Sequence, residues 1–218
     1  MYFSSYRHYT IIQFISMYLL INRLLALFLL ILLLPFFFVL FLVVKIESHG
    51  SFFYRQTRIG KNKKKFIMYK IRTMITNANR IKNRYRSFNE ADGPVFKIYD
   101  DPRYTRIGRF LSHTGLDELP QLINIIKGEM AFVGPRPLPV DEALRVPKKY
   151  QARFSVSPGI SSLWVVKGCH QLTFKQWMDT DVNYIQNKSI RLDFEISCQT
   201  INLMLGYLIN IILIKKKC

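Results

Sequence analysis

The sequence predicts an α+β protein, with a mostly helical domain and a small β-hairpin attached to an N-terminal membrane segment. Three observations lead to this prediction. A long apolar run lies near the N-terminus, two strand-like stretches flank a turn at residues 60–63, and one-sided helical patterns recur beyond residue 100. The length of 218 residues suits one domain with an appendage.

The apolar run extends from Leu24 to Val44 and contains 21 consecutive apolar residues. As a helix it is about 31 Å long, which is enough to cross the hydrocarbon core of a bilayer. A secretory signal peptide has a shorter apolar core and small residues at its cleavage site, whereas this run leads directly into Lys45. The run is therefore predicted to be a retained membrane segment, which divides the chain into residues 1–23, 24–44 and 45–218.

Two topologies fit this segment equally well on the residues alone. Both flanks are basic, and a simple span would place Arg7 and Arg23 outside, against the preference of positive charge for the cytoplasmic side. Pro35 lies near the middle of the run and cannot donate a hydrogen bond to the carbonyl of Ile31, so a bend there is plausible. The freed carbonyl has no obvious partner in a leucine-rich run. A kinked span and a re-entrant hairpin both stay open.

The positive charge of the chain, formally +18 net, is concentrated directly after the apolar run. Twelve Lys and Arg residues and no acidic residue lie between Ser48 and Asn89. A basic block beside a membrane segment favours the anionic cytoplasmic leaflet as its partner, and each basic side chain near such a surface contributes about 1 kcal/mol. A nucleic-acid reader would need a recognisable reading module, and the sequence contains none, so nucleic acid is not an expected partner.

Cysteine and histidine indicate neither disulfides nor a zinc site. The three cysteines are odd in number and lack paired metal-ligand spacing, which predicts reduced thiols in a cytoplasmic compartment. The four histidines are scattered and form no HExxH-like cluster. These residues are Cys169, Cys198 and Cys218, and His8, His49, His113 and His170.

Beyond the membrane segment, turn signals alternate with short strand-like and helical patterns. Residues 52–74 predict two strands around the turn at 60–63. The tail from Asp193 predicts a helix at the membrane interface, because its apolar end is too short and too polar to span. The other predicted elements are a helix over 75–87, a turn and extended chain over 92–96, a loop entering a helix over 100–111, a helical stripe of Leu119, Leu122, Ile123 and Ile126 ended by Lys127 and Gly128, and a turn followed by a strand over 155–166.

Two adjacent carboxylates, Asp117 and Glu118, form the first functional motif. Alone they would be interpreted as solvated surface charge, but Pro120 is tolerated only in the first turn of the helix that follows. The pair is therefore predicted to lie at the helix N-terminus, where unpaired N–H groups and the helix dipole keep a carboxylate ionised and also attract phosphate. A fixed, ionised carboxylate beside a phosphate site is a candidate nucleophile for phosphoryl chemistry.

The stretch VGPRP, residues 133–137, presents an arginine from a stiff backbone. Pro135 and Pro137 fix their own φ and push Gly134 and Arg136 towards extended conformations. Arg136 then has little entropy to lose on binding, and its guanidinium can pair bidentately with phosphate. A solvated proline-rich turn is the simpler interpretation of this stretch alone. Together with the acid pair, however, it predicts one site that combines an acidic nucleophile with a phosphate clamp.

These motifs, taken in order, resemble those of the bacterial sugar transferases, the monotopic phosphoglycosyl transferases that begin the assembly of cell-surface glycans. The resemblance runs from about the apolar segment to residue 205. The matching stretches are FYRQTRIG, FIMYKIRTM, DDPRYTRIGRFL, LDELPQLINIIKGEMAFVGPRP, SPGISSLW, and DTDVNYI followed by SIRLDFEI. So many motifs in a fixed order make the resemblance specific.

The resemblance implies a two-step reaction. The family transfers a sugar 1-phosphate from a UDP-sugar to polyprenyl (undecaprenyl) phosphate and releases UMP, as the first membrane step of surface polysaccharide or glycoconjugate biosynthesis. Asp117 occupies the position of the family's nucleophile, which forms a covalent phosphosugar intermediate, and Glu118 is its partner. The family requires Mg²⁺, a cation bound by one or two carboxylates plus substrate phosphates, so Asp117 and Glu118 are also the expected metal ligands.

The resemblance also implies a location and partners. The family's membrane segment is a re-entrant helix broken at a proline, which favours a hairpin at Pro35 and a catalytic domain on the cytoplasmic face of the bacterial inner membrane. The expected partners are the UDP-sugar donor, the polyprenyl phosphate acceptor and an anionic membrane, and a homo-oligomer is compatible with the family.

Several positions depart from the family pattern. Leu34 precedes the proline in place of Ser, Ser112 stands five residues before the nucleophile in place of Arg, and Gly115 replaces a Ser ahead of the acid pair. In the stretch SLWVVKGC, Val165 and Cys169 replace a Gln and an Arg.

These departures bear on the phosphate contacts and on activity. Arg136 and Gly134 are expected to contact phosphate, with Arg109 or His113 as a replacement for the first missing arginine and Lys167 for the second. A catalytically degenerate member that serves as a non-catalytic partner in a glycan-assembly complex is the alternative. The intact Asp117, Glu118 and Arg136 count against that alternative.

Overall fold

The computed structural model describes residues 2–168 and 171–215, and the side chains of residues 17–168 and 171–209. Two helices begin the chain: α1 spans Tyr2–Leu32 and α2 spans Leu34–Glu47. The two helices are bent by 58° at the break between them. Pro35 lies in the first turn of α2, where its missing N–H removes no helical hydrogen bond, so the long apolar helix is interrupted directly before it.

Among the helices that the structure describes, none is long and apolar enough to cross a membrane by itself. The bent pair formed by Met17–Leu32 and Leu34–Glu47 meets that criterion when the two arms are taken together. Many of its large apolar side chains are exposed, among them Leu24, Phe28, Ile31, Leu34 and Phe38. The domain boundaries predicted at 23/24 and 44/45 fall inside α1 and α2, and they stay predictions.

A β-hairpin follows the bent pair. Strand β1, Phe53–Ile59, pairs antiparallel with β2, Lys65–Ile71, through seven residue pairs. Asn62 and Lys63 adopt positive φ in the turn between them. The predicted hairpin is confirmed, together with the mixed helix and strand composition.

The remaining strands lie outside the predicted hairpin. Strand β3, Ala131–Val133, pairs in parallel with β5, Gly159–Ser161, and β4, Leu138–Pro139, adds a third strand to the free edge of β1. The hairpin sheet therefore has the order β2-β1-β4. The loop between β3 and β4 contains Arg136.

The helices of the domain are short, apart from the last two. Residues Lys82–Phe88, Leu116–Gln121 and Lys148–Phe154 form 3-10 helices. The α-helices are α3 Ala78–Ile81, α4 Arg106–Thr114, α5 Leu122–Ile126, α6 Val140–Ala143, α7 Leu163–Val166, α8 Phe174–Asn187 and α9 Ile190–Lys215.

The strand predicted within residues 155–166 is wrong beyond Ser161. Strand β5 ends there, and the Ser162 hydroxyl accepts a hydrogen bond from the Val165 N–H, which caps the start of α7. The helix predicted from Asp193 is confirmed as part of α9. Its position at a membrane interface stays a prediction, although Ile201, Leu205 and other apolar side chains of α9 are exposed.

Both arms of the bent helix pair pack against the domain that follows. In α1, Ala26 is fully buried in a cluster with Phe66, Met68, Leu122, Ile125 and Met130. In α2, Leu40 and Val44 pack against Phe52, Ile71 and Leu111. The two arms therefore pack on the same part of the domain, which consists of the hairpin and of helices α4 and α5. The 3-10 helix that contains the acid pair lies between α4 and α5.

Candidate active site

Three separated segments bring the candidate site together. Helix α4 ends at Thr114 and is capped by Gly115, whose positive φ of 75° turns the chain into the 3-10 helix that contains Asp117 and Glu118. Strand β2 packs on this 3-10 helix and carries Lys70, and the loop after β3 carries Arg136. Pro120 lies inside the 3-10 helix, which continues directly into α5.

The charged groups of the site form a continuous network centred on Glu118. Lys70 Nζ lies 2.6 Å from Glu118 Oε1 and 3.3 Å from Asp117 Oδ2. Arg136 donates two hydrogen bonds to the same glutamate, from Nη2 to Oε1 at 2.6 Å and from Nη1 to Oε2 at 3.2 Å. Both oxygens of Glu118 are therefore engaged, whereas Asp117 receives one longer contact.

The two carboxylates have opposite pKa shifts. Burial alone would raise the pKa of Glu118, but Arg136 and Lys70 outweigh it and hold that pKa well below its ordinary value. Burial raises the pKa of Asp117, Lys70 partly offsets this, and the charge of Glu118 adds to it. Nearby cations thus oppose burial at both carboxylates, and the net pKa shift is downward for Glu118 and upward for Asp117. A contribution of the helix N-terminus to their charge stays a prediction.

The position of the first missing family arginine is filled by a neutral pair. Ser112 Oγ lies 2.9 Å from the Tyr104 hydroxyl. Burial raises the pKa of Tyr104, and the negative charge of Asp117 raises it further, so the phenol stays protonated. A half-buried hydroxyl pair therefore occupies the position where the family pattern has a cation.

The proposed replacements for that arginine lie elsewhere on α4. The Arg109 side chain is half exposed and its ion-pair partner among the described residues is Asp100, 3.8 Å away. His113 stacks on Tyr99 and lies at the same distance from Asp100. The structure does not bring either residue into the network of Glu118, and a phosphate contact from Arg109 stays a prediction.

Gly134 lies in the loop before Arg136, and its surroundings explain why a glycine is needed there. Its N–H donates to the Ser161 carbonyl at 3.0 Å, and an added Cβ would clash with the backbone of Ser157 and Gly159. The close approach of β3 and β5 thus requires glycine at this position. A direct contact between Gly134 and phosphate stays a prediction.

The second altered stretch lies in and after α7. Val165 is partly buried against the cluster that contains Trp164 and Trp177, and Lys167 is exposed. Cys169, with His170 and Cys218, lies outside the described residues, and so does the side chain of His8. Cys198 is a half-buried free thiol, as the sequence predicts.

Lys70 is a site residue that the sequence did not predict, because it lies within the block of basic residues expected to face a membrane. The signal was the alternation along β2, in which Phe66, Met68 and Lys70 point to the same side. Phe66 and Met68 are buried. A lysine that continues the buried face of a strand needs a buried partner of opposite charge, which the acid pair provides.

The carboxylates suit Mg²⁺ by their chemistry and separation. Within the described part of the chain, no group of three or more His, Cys, Asp and Glu side chains could hold a metal ion. Asp117 and Glu118 nevertheless lie close enough together for one cation, Lys70 Nζ, to contact both. Two carboxylates completed by substrate phosphates fit the oxygen ligands that Mg²⁺ takes.

Comparison with known proteins places the chain in a family. The family model of the bacterial sugar transferases matches residues 13–207. The chain belongs to this family.

Curated relatives carry related names. The galactosyl transferase CpsE of Streptococcus agalactiae is 39% identical over 168 residues, which cover 76% of this chain and 37% of CpsE. The exopolysaccharide production protein ExoY of Sinorhizobium fredii is 37% identical over 182 residues, which cover 82% of this chain and 80% of ExoY. The undecaprenyl-phosphate galactose phosphotransferase of Salmonella typhimurium is 34% identical over 164 residues, which cover 72% of this chain and 34% of the relative. The chain thus spans most of ExoY but only about a third of the other two.

Proposed function

We propose that this protein transfers a sugar 1-phosphate from a UDP-sugar to polyprenyl (undecaprenyl) phosphate, as the first membrane step of surface polysaccharide or glycoconjugate synthesis. The observation that carries the proposal is the buried Asp117–Glu118 pair held between Lys70 and Arg136. The names of two relatives, a galactose phosphotransferase and a glucose-1-phosphate transferase acting on undecaprenyl phosphate, support the acceptor and the reaction.

The different engagement of the two carboxylates suggests their roles. Glu118 is fixed through both oxygens, so it is suited to orienting Lys70 and Arg136. Asp117 has the single 3.3 Å contact from Lys70, and the cost of burial leaves its carboxylate poorly solvated. A poorly solvated, lightly held carboxylate is the better nucleophile.

The proposed chemistry is two displacements at one phosphorus. An Asp117 oxygen attacks the phosphorus that bears the sugar, and the bond from this phosphorus to the bridging oxygen breaks, so that UMP leaves with the bonding electrons. A phosphate oxygen of the polyprenyl phosphate then attacks the same phosphorus. The Asp117–phosphorus bond breaks, which restores the carboxylate and gives the lipid-linked diphosphate sugar.

Charge neutralisation is the main task of the surrounding groups, because an anionic nucleophile must approach an anionic diphosphate. Lys70 and Arg136 supply two positive charges at the acid pair. Asp117 and Glu118 would hold Mg²⁺, which supplies further neutralisation of the diphosphate when bound. The guanidinium of Arg136 has the planar fork that suits a phosphate.

The reaction is tested by UMP release from the purified protein, supplied with Mg²⁺, polyprenyl phosphate and a panel of UDP-sugars. We expect release with at least one donor, together with formation of a lipid-linked diphosphate sugar. Absence of UMP with every donor would contradict the proposal and favour the non-catalytic partner in a glycan-assembly complex.

We further propose that the bent helix pair is re-entrant and that both of its ends lie on the cytoplasmic face of the inner membrane. Near the start of the pair, the Tyr18 hydroxyl donates to Asp193 Oδ2 at 2.5 Å. Near its end, Glu47 Oε1 accepts from the Ile107 N–H at 2.9 Å. Because both ends bind one domain, this arrangement favours a hairpin over a through-span.

The dimensions of the pair suit a shallow insertion. The arms Met17–Leu32 and Leu34–Glu47 are about 24 and 21 Å long. If they enter symmetrically with their 58° bend, the tip near Pro35 reaches a depth of about 10–12 Å, within one leaflet of a core about 30 Å thick.

Cysteine labelling tests this topology. In a variant without the native cysteines, Ser5→Cys and Ser51→Cys should both resist a membrane-impermeant maleimide added to intact cells, because both ends are cytoplasmic. Both should react after lysis, which is the control for accessibility. Labelling of Ser5→Cys alone in intact cells would show a through-span.

Replacing Arg136 tests the phosphate clamp. Arg136→Lys keeps the charge but loses the planar fork, so kcat/KM for the UDP-sugar should fall about 100-fold, as expected when one phosphate-directed contact is lost. The exposed Arg84→Lys is the matched control and should behave like the parent. An Arg136→Lys enzyme with parental kcat/KM would limit Arg136 to a structural role.

A further inference from the structure

The loop that carries Arg136 is held through every carbonyl of its Pro135–Arg136–Pro137 core. The Pro135 oxygen accepts from the Gly159 N–H at 3.1 Å. The Arg136 oxygen accepts from Arg153 Nη2 at 2.9 Å, and the Pro137 oxygen accepts from Arg58 Nη1 at 3.0 Å. Since the two prolines lack N–H groups, these three bonds define how the backbone of Arg136 is oriented.

Arg153 is itself anchored on α8. Its Nε and Nη2 donate to Asp181 Oδ2 at 3.0 and 2.8 Å, and the side chains of both residues are 2% exposed. Burial raises the pKa of Asp181 to about 6, against the opposing effect of Arg153, so Asp181 is ionised at neutral pH and retains its partner. A pair this deeply buried cannot also contact a diphosphate at the surface.

We infer that Arg153, oriented by Asp181, is a positioning residue that holds the backbone of Arg136 where the guanidinium can bind the donor's phosphates. Arg58 supports the same loop one peptide further along. Burial and the neighbouring charge of Arg136 lower the pKa of Arg58 to about 10, so it remains charged at neutral pH. The inference rests on the proposed function, because it assigns the phosphate contact to Arg136.

The geometry separates this role from that of an ordinary buried ion pair. A buried ion pair is often no more stabilising than apolar residues of the same volume. A contribution to stability alone therefore does not explain why Arg153 and Asp181 occupy these positions. The bond from Arg153 to the Arg136 carbonyl is an additional, charge-assisted contact to the loop of the candidate site. Lysine at position 153 could pair with Asp181 but lacks the fork that reaches both partners.

A double-mutant cycle tests the inference in the whole protein. Arg153→Lys should lower kcat/KM for the UDP-sugar about 10-fold or more in the parent, as expected for one hydrogen bond to a charged group. In an Arg136→Lys background the same change should have little further effect, because Arg153 acts only through Arg136. The exposed Arg191→Lys, which alters the Arg191–Glu195 pair, is the matched control and should leave kcat/KM unchanged in both backgrounds. Equal losses in both backgrounds would overturn the inference.

Hydrogen exchange gives a second result that does not depend on turnover. Arg153→Lys should speed amide exchange about 10-fold or more in a peptide covering residues 131–140, while a peptide covering the hairpin, residues 53–71, exchanges as in the parent. Faster exchange in both peptides would indicate general destabilisation and overturn the inference, and so would unchanged exchange in both. If the parent releases no UMP with any donor, the proposed function fails, and the exchange result still decides whether Arg153 holds the loop.

Discussion

Asp117→Asn should abolish turnover, lowering UMP release by about 10⁴-fold or more, because it removes the ionised oxygen that attacks phosphorus. The amide keeps the size and shape of the buried side chain, so the fold of the 3-10 helix should survive. The measurement is the intact mass of the protein after exposure to a UDP-sugar and Mg²⁺ without polyprenyl phosphate. The parent should gain the mass of one phosphosugar, and Asp117→Asn should gain none.

Two further variants make this result specific. Glu118→Gln should also damage turnover, because Lys70 and Arg136 lose their shared charged partner, yet it retains the nucleophile and can still accumulate the adduct. Asp179→Asn changes an exposed carboxylate on α8 and should match the parent. A phosphosugar adduct on the Asp117→Asn protein would show that another residue is the nucleophile.

The parts of the site that the sequence predicted are those encoded by local motifs. Asp117 and Glu118 are adjacent, and Pro120 predicts that they lie at the start of a helix. The two prolines around Arg136 predict a stiff loop. The motifs do not show which of these charged groups contact one another in the folded protein. The structure pairs Arg136 with Glu118 rather than leaving both directed at a common substrate.

The site residues that could not be predicted from the sequence form contacts across long separations in the chain. Lys70 lies 47 residues before Asp117 in the sequence, and a block of twelve basic residues conceals its placement on the buried face of a strand. Arg153 and Asp181 pair across 28 residues from a 3-10 helix to α8. A local sequence pattern does not predict such a pair, because each partner alone resembles an ordinary surface charge.

The fold shows the same division between local and distant interactions. The hairpin of β1 and β2 was predictable, because alternating apolar residues and a tight turn are both local signals. Strands β3 and β5 have only three residues each and pair in parallel across a long connection, so neither strand displays a recognisable period. The stretch after β5 is predicted as a continuation of the strand, and its two valines are residues that favour extended chain, but the cap at Ser162 starts a helix there instead.

Lys70→Met should lower kcat/KM at neutral pH by about 100-fold or more and shift the acid limb of the pH–rate profile upwards. Burial already raises the pKa of Asp117, and Lys70 is the largest influence that lowers it. Without the ammonium, the pKa of Asp117 rises further, so a smaller fraction of the nucleophile is ionised at neutral pH. A neighbouring opposite charge typically changes a carboxyl pKa by about 1–3 units, so the lost rate should be partly recovered at higher pH.

Lys70→Arg is the matched comparison, because it keeps the positive charge on β2 and changes only its shape. Its acid limb should stay close to that of the parent, even if kcat falls through an altered fit between Asp117 and Glu118. The measurement is kcat/KM for the UDP-sugar across a pH series, on protein shown to be folded by its Tm and circular dichroism. If Lys70→Met loses rate but keeps the parent's acid limb, Lys70 contributes to substrate binding rather than to the ionisation of Asp117. An acid limb that moves upwards in Lys70→Met alone would tie the nucleophile's charge to this one lysine.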